Sequence, residues 1–532
     1  MRDTVCSVLF AIAVILLLGC SPAHGQEAGS ISGRVLDPQG AAVPNVNVRL
    51  GQPATGTTRV TTTTAEGLYS FPSLPVGSYT IAVEAAGFKR VAVSNIQVEV
   101  AQRVQLDLTL EIGAVTEVVE VTAAAAQLQT SDSQIGGVVE SKAISDLPLN
   151  GRNFTQLMVL MAGSTERGGG TVAGHYVERA GGIAFSVNGQ RQTANQFLID
   201  GFMAKEVQHG TNSIEPIIDA LQEFRVQSTN YTAEFGTEAG GQINAVLKSG
   251  TNEFHGAAWE FLRNDKLDAN NFFNNQKGTA RPPFQRNQFG VAAGGPIFRN
   301  KSFIFGAYEG TRVRKGITQL TTVPTEALRN GDFSGLGTVT DPLTKQPFAN
   351  NVIPASRRDP ITTAILEKYV PLPNRTGVFN WVSTDPQKID VEQYNWRIDH
   401  RFSEKDLVFG HYLFEDTDFR YPSLFPTDDA SQLFRGQNVL VAWTHLIGAR
   451  SLNEFRLGFN RFIQNEFQGR AGKVNVVKEL GMTGLCEIPS CWGVPQMSVT
   501  GFAQFGDERL LARDATIPPV LLRRPPQGGR IA

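Results

Sequence analysis

The sequence predicts a mainly β protein in three successive parts: an N-terminal β-sandwich, an α/β domain and the N-terminal part of a transmembrane antiparallel β-barrel. Up to residue 112, short alternating segments are separated by turn residues. From residue 127 to 252, helical and strand patterns follow one another. Beyond Asn252 apolar and polar residues alternate with a period of two, and the aromatic residues are concentrated on one face of the predicted strands.

Composition narrows the class of protein. The chain has 532 residues, which is enough for several domains. A hydrophobic content of 41% and a mean hydropathy of -0.14 fit neither a disordered chain nor a helical membrane protein. A β-barrel is compatible with these values because its strands alternate apolar and polar residues. The net charge of -2 argues against a nucleic-acid partner, which would favour a basic domain.

The first residues predict export. Arg2 precedes an apolar run from Val5 to Leu18, and small residues lead to a predicted cleavage after Gly25. We therefore expect a signal peptide over residues 1–25. A lipoprotein signal ending at Cys20 and an uncleaved membrane anchor are the alternatives.

Two of the four cysteines remain after this segment is removed. Cys6 and Cys20 lie within the predicted signal, which leaves Cys486 and Cys491. Since exported chains meet an oxidising compartment, this pair is expected to form a disulfide. A metal site would need further cysteine or histidine ligands nearby, and the sequence has none there.

Residues 26–112 predict the β-sandwich. Asp37 to Gly40 reads as a turn, and Val104 to Ile112 alternates apolar and polar residues along one nine-residue strand. Two further strands each direct three apolar side chains to one side: Val46, Val48 and Leu50, then Tyr79, Ile81 and Val83. Residues 113–126 then read as a linker, although their Val-Glu alternation also fits a last strand of the sandwich.

Residues 127–252 predict the α/β domain. We expect two short helices, one capped by Ser141 and ending before Pro148, the other starting at Asn153 and running through Met161. Two strands then end in the turn dipeptides Asn188-Gly189 and Asp200-Gly201. The last predicted elements are a helix at Ile214–Leu221, a strand at Glu223–Gln227, a glycine pair, and a strand at Gln242–Lys248.

The final segment resembles the end of the plug domain in TonB-dependent outer-membrane receptors. The matching residues are Glu223, Phe224, Val226, Phe235, Gly236, Ala239, Gly240, Gly241, Ile243, Asn244, Val246 and Lys248. Gln227-Ser228-Thr229 replaces the Arg-Gly-Pro usual in that family.

Other motifs strengthen the resemblance. LPLNGRNF at residues 147–154 and SGTNEFHG at residues 249–256 are similar to the Oar-like branch, in which a regulatory-like domain precedes the plug. The string at residues 64–81 resembles the carboxypeptidase regulatory-like domain, an accessory fold without chemistry of its own. Together the motifs extend the resemblance through about residue 465.

Residues 253–532 are expected to form barrel strands. The residues Tyr394, Trp396, Ile398 and Phe402 alternate with the polar or charged residues Asn395, Arg397, Asp399 and Arg401. A second strand sets Ala257, Trp259 and Phe261 on one face. A soluble sandwich would alternate similarly, but aromatic loading, long polar connections and the export signal favour a membrane barrel. We expect the charged side chains to face the lumen and to be solvated there by water.

The resemblance implies a barrel of about 22 strands. At roughly 10 residues per strand, the segment after Asn252 supplies about half of them. The last residues carry two Pro-Pro pairs and lack a terminal aromatic residue. We therefore expect a truncated or frameshifted version of a longer receptor.

The resemblance also implies a function and partners. It predicts an outer-membrane, TonB-dependent receptor or transporter, with outer-membrane lipid around the barrel, an unidentified extracellular substrate, and the N-terminal domain in the periplasm. The candidate TonB box, which would pair with TonB, comprises Glu117, Val118, Val119, Glu120, Val121 and Thr122. A secreted or surface adhesion protein that binds carbohydrate through its sandwich is the alternative class.

No enzymatic centre or cofactor is predicted. His24 with Glu27 and His175 with Glu178 have the spacing of a zinc peptidase motif, but neither pair has a convincing third ligand. The glycine run at residues 168–170 neither follows a strand nor opens a helix, so it is not a phosphate-binding loop.

Overall fold

A computed structural model describes most of the chain. The described residues are 28–114, 118–122, 135–166, 185–206, 210–229, 231, 238–276, 280–421, 424–425, 430–448, 451–468, 470, 473–485, 488–489, 492–506, 513–516 and 520–523. The predicted signal peptide and the two cysteines of the predicted disulfide lie outside them.

The N-terminal part is a two-sheet β-sandwich. One sheet has the order β4-β1-β7, with β8 also beside β1, and the other has the order β3-β2-β5-β6-β9. The strands are β1 Gly29–Leu36, β2 Asn47–Gln52, β3 Thr57–Thr62, β4 Leu68–Leu74, β5 Gly77–Glu84, β6 Arg90–Val98, β7 Arg103–Gln105, β8 Leu108–Thr109 and β9 Val118–Thr122.

The sandwich core contains the apolar side chains that alternation predicted. Val48, Ile81 and Val83 are buried between the sheets. The single strand expected over residues 104–112 is wrong, because the Asp107 carboxylate accepts the Arg34 amide of β1 at 2.9 Å and separates β7 from β8. Ile112, at the end of that stretch, is 68% exposed.

The α/β part, here called the plug domain, is built on a five-stranded sheet of order β10-β15-β16-β13-β14. Strand β13 is parallel to β16, and β15 is antiparallel to β16. Its elements are β10 Ile135–Glu140, α1 Ser141–Asp146, β11 Ser164–Glu166, β12 Phe185–Val187, β13 Gln196–Ile199, β14 Phe202–Met203, β15 Leu221–Thr229 and β16 Gln242–Leu247, with 3₁₀ turns at Phe154–Leu160, Gln192–Ala194 and Ile218–Ala220.

The strands of this domain match the prediction better than its helices. Asn153 caps the N-terminus as expected, through the Thr155 amide at 2.9 Å, but the turn that follows is 3₁₀ rather than α-helical. Gln156 bonds the Asn150 amide instead of closing a capping box. The helix expected at Ile214–Leu221 is only a 3₁₀ turn, since the chain enters β15 directly.

The C-terminal part is a nine-stranded sheet, here called the barrel sheet, of order β17-β18-β19-β22-β23-β24-β25-β26, with β27 also on β25. The described strands form an open antiparallel sheet. They are β17 His255–Asn264, β18 Phe284–Phe298, β19 Ser302–Gly316, β22 Pro386–Arg401, β23 Asp406–Arg420, β24 Ala430–Gly448, β25 Ser451–Gln468, β26 Arg513–Thr516 and β27 Val520–Arg523.

The two ends of this sheet differ. At one end the links are short, as between Phe298 and Ser302 or Arg401 and Asp406. At the other end the connections are long, and part of them forms a small core around Ile365 and Tyr369. These connections contain β20 Gln319–Thr321, β21 Trp381–Ser383, α2 Phe272–Gln276, α3 Glu326–Arg329, α4 Pro360–Tyr369, α5 Val476–Glu479, and 3₁₀ turns at Asp265–Leu267, Ala349–Asn351 and Ala355–Arg357.

Candidate functional site

The inner face of the barrel sheet carries polar side chains that are buried. Asn395, Arg397 and Asp399 on β22 are 1%, 8% and 9% exposed, and His411 on β23 is 3% exposed. The expectation that water solvates such side chains is therefore wrong here. The plug domain packs against this face and replaces the water.

Asp200 is the plug residue at the centre of this contact. It occupies the turn between β13 and β14 with φ 45°, and Gly201 follows with φ 73°. The predicted Asp-Gly turn is thus present, because both residues take the left-handed conformation that a two-residue hairpin requires. The turn points the Asp200 carboxylate at the barrel sheet.

The Asp200 carboxylate is satisfied from two strands of the barrel sheet and from the plug itself. Arg397 donates to its Oδ1 at 2.9 Å, and the Leu247 amide donates to the same oxygen at 3.1 Å. His411 Nδ1 lies 2.8 Å from its Oδ2. In addition, Arg456 of β25 donates to the Asp200 carbonyl at 3.0 Å.

These contacts fix the charge of Asp200. Burial opposes ionisation, but the Arg397 guanidinium and the His411 ring outweigh it and hold the pKa of this carboxyl below its ordinary value. Asp399 accepts a further bond from Arg397 at 2.9 Å and one from Ser249 at 2.6 Å. Asp200, Arg397, Asp399 and His411 are called the Asp200 cluster below.

A second polar contact joins the plug to the first barrel strands. Arg152 forms ion pairs with Asp219 of the plug and with Glu309 of β19, the latter at 3.5 Å. Its guanidinium also lies over the rings of Trp259 and Phe261, at 5.4 and 4.4 Å from their centres. The aromatic face of β17 is therefore turned to the plug, whereas that of β22 is turned outward.

The outer face of the barrel sheet carries apolar and aromatic side chains. Phe289, Tyr308, Tyr394 and Phe414 form a row across four strands, with neighbouring ring centres 6.3, 5.1 and 6.1 Å apart. Toward the long connections, this row gives way to ion pairs such as Arg314 with Asp390 at 2.6 Å. An aromatic girdle beside a charged rim is the pattern of a bilayer interface.

The plug-motif residues lie mainly in the plug core. Phe224, Val226 and Ile243 are almost fully buried, and the Phe224 ring lies 5.5 Å from that of Phe154. Asn244 instead accepts the Gly201 amide at 3.1 Å and so supports the Asp200 turn.

The motif glycines permit close packing, and the remaining residues are peripheral. A Cβ on Gly240 would meet the Ala194 carbonyl oxygen at 2.6 Å, and one on Gly241 would meet Val187 at 2.8 Å. Lys248 is half-buried, which lowers its pKa, and its amide donates to Ala220 at 2.8 Å. Phe235 and Gly236 lie outside the described residues.

Glu223 joins the plug to the sandwich. Its carboxylate accepts the backbone amide of Val100, and Arg225 donates to the Val100 carbonyl at 2.9 Å. Burial raises the pKa of Glu223 to about 7, with the charges of Glu99 and Glu140 adding to the effect against the Val100 bond and Arg225. The sandwich also reaches the short-link end of the barrel sheet through Asn252, whose amide donates to the Ala54 carbonyl and whose side chain bonds Asn300 between β18 and β19.

The candidate TonB box lies at the edge of the sandwich. Val118–Thr122 forms β9, which is parallel to β6, and the half-buried Val119 packs on the sandwich core. Glu117, Cys486 and Cys491 lie outside the described residues, so the predicted disulfide stays a prediction.

The described residues contain neither a candidate metal site nor a candidate membrane-spanning helix. No group of three or more His, Cys, Asp or Glu side chains there could hold a metal ion. Nor is any described helix long and apolar enough to cross a membrane.

Sequence reasoning did not single out Asp200, Arg397, His411 or Arg152 as site residues. Two features of the sequence could have indicated these residues: ionisable side chains on the polar face of strands with an aromatic opposite face, and the Asp-Gly turn. Alternation gives the face of each residue, but the partner across the interface comes from a segment about 200 residues away.

Comparisons with known families agree with this architecture. The family profile described as "Outer membrane beta barrel domain" matches residues 246–515, which is half of the chain. The profile described as "Carboxypeptidase regulatory-like domain" matches residues 30–111.

Individual proteins are also similar. The TonB-dependent transporter Oar of Myxococcus xanthus is 28% identical over 310 residues, which cover 56% of this chain and 28% of that protein. The chain thus spans less than a third of this curated relative.

Two solved structures align with parts of the chain. The outer membrane transporter YddB of Escherichia coli aligns with a TM-score of 0.44 at 12% identity, over 63% of this chain and 40% of its own. The siderophore receptor PirA of Acinetobacter baumannii aligns with a TM-score of 0.32 at 13% identity, over 62% of this chain and 45% of its own. From the profile matches, this chain belongs to the outer-membrane β-barrel domain family and carries a carboxypeptidase regulatory-like domain, and it is similar to the TonB-dependent transporter Oar.

Proposed function

We propose that this protein acts in the outer membrane as a TonB-dependent receptor that takes up an extracellular substrate with energy from the inner membrane. The observation that carries the proposal is the polar contact between plug and barrel sheet, centred on the Asp200 cluster. In this proposal residues 1–25 are the signal, 26–112 the regulatory-like domain, 113–126 a connecting segment whose β9 extends the sandwich sheet, 127–252 the plug and 253–532 the barrel.

The polar contact suits a plug that moves. Hydrogen bonds and ion pairs between plug and wall can be exchanged for bonds to water, whereas an apolar contact would lose the free energy of its burial. The central strands β22, β23 and β24 pair through their own backbones over 14 and 15 residue pairs, so they stay joined when the plug shifts.

The proposed orientation follows from the two ends of the barrel sheet. Short turns on the periplasmic side and long extracellular loops are usual in outer-membrane barrels. The sandwich and β9 lie with the short links, where the Asn252 amide bonds Ala54, so the candidate TonB box faces the periplasm in this arrangement. TonB would pair with Val118–Thr122 by strand addition, in which backbone hydrogen bonds supply most of the affinity.

The proposed role is transport and reception rather than catalysis. The ionisable residues of the Asp200 cluster all bond one another or the protein backbone, and they fasten two domains together. The plug covers them on the lumen side, so a substrate would have no access to them while the plug is seated.

Photo-crosslinking in outer membranes tests the proposal. A photoreactive residue at Val121 on β9 is expected to crosslink to TonB, while the same residue at Val60 on β3 is not. Val60 is the matched control because β3 is the opposite edge of the same sheet and Val60 is 53% exposed.

Two results would reject the proposal. One is a mature chain that is entirely soluble, with no heat-modifiable band in the outer-membrane fraction. The other is equal crosslinking of TonB at both positions. Glycan binding by the protein without any TonB crosslink would instead favour the adhesion alternative.

A further inference from the structure

A cavity of about 260 Å³ lies where the sandwich meets the short-link end of the barrel sheet. Its sandwich wall comes from the end of β2, from β3 and from the turn between β4 and β5. The opposite wall comes from the plug strand β16 and from the links that join β18 to β19 and β22 to β23. All three parts of the protein therefore border the same space.

Arg59 on β3 is the cation of the sandwich wall. Its Nη1 donates to the Pro72 carbonyl at 2.8 Å and makes a longer contact of 3.5 Å with the Ser73 carbonyl. Both bonds that the described residues offer it start from Nη1, which leaves Nε and Nη2 without a protein acceptor there. Burial lowers the pKa of the Arg59 guanidinium to about 10, since no described carboxylate compensates its charge. Such a cation favours an anion from outside the chain.

The other charges of the lining add to this preference. The described lining contains five cationic side chains and three acidic ones, which are Arg59, Lys301, Arg397, Arg401 and Lys405, then Asp399, Glu404 and Asp406. The cavity therefore carries a surplus of positive charge.

Two of the acidic side chains are already occupied by protein donors. Asp399 accepts from Arg397 at 2.9 Å, and Asp406 accepts from Ser403 at 2.7 Å and lies 2.7 Å from His445 Nδ1. These two carboxylates are therefore held by their own partners and do not compensate Arg59.

Two lysines on the barrel side remain available. In the described part of the chain, Lys301 and Lys405 bond only through their backbones, which leaves both ammonium groups for solvent or a ligand. A long lysine side chain can reach an anion beside Arg59 without a fixed geometry.

The cavity also has apolar walls. Leu50 and Leu74 reach it from the sandwich core, where they are 2% and 1% exposed. Phe303 of β19 is 6% exposed, and Val246 of the plug lines the same space. An inorganic anion would leave these walls unused, while a neutral apolar molecule would leave Arg59 unpaired. The lining thus suits a molecule with both an anionic group and an apolar body.

We propose that this cavity binds a small amphipathic carboxylate, with the anionic group on Arg59 and the apolar body against Leu50 and Phe303. A guanidinium presents two parallel donors to the two oxygens of a carboxylate. Removal of the apolar body from water adds to the affinity. A molecule bound there bridges the sandwich to the barrel sheet, and its binding does not depend on the TonB contact proposed above.

Photolabelling of the full-length protein in lipid nanodiscs tests the proposal, with a diazirine analogue of octanoate as the probe. Mass spectrometry is expected to find the label at Val76 of the sandwich turn and at Leu407 of β23, which both line the cavity. Labelling confined to outward-facing residues such as Val441 would mean that the probe only partitions into lipid, and would overturn the proposal.

Competition separates the two parts of the ligand. Unlabelled octanoate is expected to suppress the labelling at Val76. Octanamide has the same apolar body without the charge, and inorganic phosphate has charge without the body, so neither should suppress it at the same concentration. Equal suppression by octanamide would remove the role of Arg59, and equal suppression by phosphate would remove that of the apolar walls. Either result contradicts an amphipathic carboxylate site.

Substitution of Arg59 tests the anionic contact directly. In Arg59→Gln the octanoate concentration needed for suppression is expected to rise about tenfold to hundredfold, the loss of a charge-assisted hydrogen bond. Arg59→Lys keeps the charge without the planar pair of donors, so its loss should be smaller.

Arg49→Gln is the matched control. Arg49 lies on the neighbouring strand β2, is exposed and does not line the cavity, so this variant should bind octanoate like the wild-type protein. Equal affinities of Arg59→Gln and Arg49→Gln would refute the proposal. If Arg59→Gln fails to fold, the comparison of octanoate with octanamide on the wild-type protein still decides.

Discussion

At the scale of single residues, glycines on the barrel wall let the plug approach. Gly458 on β25 faces Phe202 of the plug, whose ring occupies the position that a Cβ would take. Gly436 on β24 similarly faces the Ser213 carbonyl. Because these two glycines have no side chain, the plug can pack closely against the wall there, while charged side chains bond it elsewhere.

Gly458→Ala is expected to destabilise the seated plug by about 1–3 kcal/mol, because Phe202 must leave its rotamer or the β13–β14 hairpin must shift. Urea unfolding of the plug within the folded barrel measures this change. Gly410→Ala is the control, since its Cβ would lie 3.2 Å from the Leu440 carbonyl oxygen and 3.7 Å from Val441, on the outer face of the sheet and away from the plug. Equal losses for both variants would contradict the role given to Gly458.

At the scale of elements, each central barrel strand has two distinct faces. On β22 the residues Trp396 and Ile398 are 48% and 49% exposed, while the intervening Arg397 is buried against the plug. Because strand side chains alternate, a shift of one residue in register would place Arg397 in lipid. The registry of β22 with β19 and β23 is continuous over at least 14 residue pairs, which resists such a shift.

Val441→Arg is expected to destabilise the membrane-folded protein by about 2–4 kcal/mol, which is the cost of an arginine that faces lipid near the bilayer midplane. Val441 is on the outer face of β24, 46% exposed and opposite Gly410 and Leu457. Folding into lipid vesicles at graded urea concentrations measures the effect.

Leu433→Arg supplies the matched comparison. Leu433 also faces outward on β24, but it pairs with Asp418 within the charged rim, where the cost should fall to about 0–1 kcal/mol. Similar costs at both positions would show that the aromatic row does not mark a bilayer boundary.

At the scale of the whole molecule, the sandwich, plug and barrel sheet are joined by separate polar contacts. Glu223 and Arg225 bond Val100 of the sandwich, while the Asp200 cluster and Arg152 join the plug to the wall. The plug therefore lies between two partners and is bonded to each through different residues.

The contact between sandwich and plug is expected to weaken as pH rises. The folded pKa of Glu223, about 7, lies above its ordinary value of 4.5. Its protonated form therefore adds stability that is fully present below pH 4.5 and is lost as pH rises through about 7. Unfolding midpoints in urea from pH 4.5 to 8 measure this loss.

Glu223→Gln should remove that part of the pH dependence, because the amide is neutral at every pH. Glu84→Gln is the control, since Glu84 is an exposed glutamate of the sandwich paired with Arg90. If Glu223→Gln leaves the profile unchanged while Glu84→Gln flattens it, the assignment to Glu223 is wrong.

Sequence alone determined the mainly β class, two of the sandwich strands (β2 and β5), β15 and β16 of the plug, and the two-faced character of β22. These features follow from local alternation and turn chemistry, which depend only on residues that are close in sequence. It also determined the Asp200-Gly201 turn, although not its use. Helices were less predictable, since the expected one at Ile214–Leu221 became a short 3₁₀ turn before β15.

Only the tertiary structure decided which polar residues meet. Asp200 reaches Arg397 and His411 because the plug seats against β22 and β23, and this pairing spans about 200 residues of chain. The same seating turned the predicted water-facing charges into a buried network and directed Trp259 inward to Arg152. Local periodicity gives the face that a side chain occupies; the group opposite it depends on how distant segments pack.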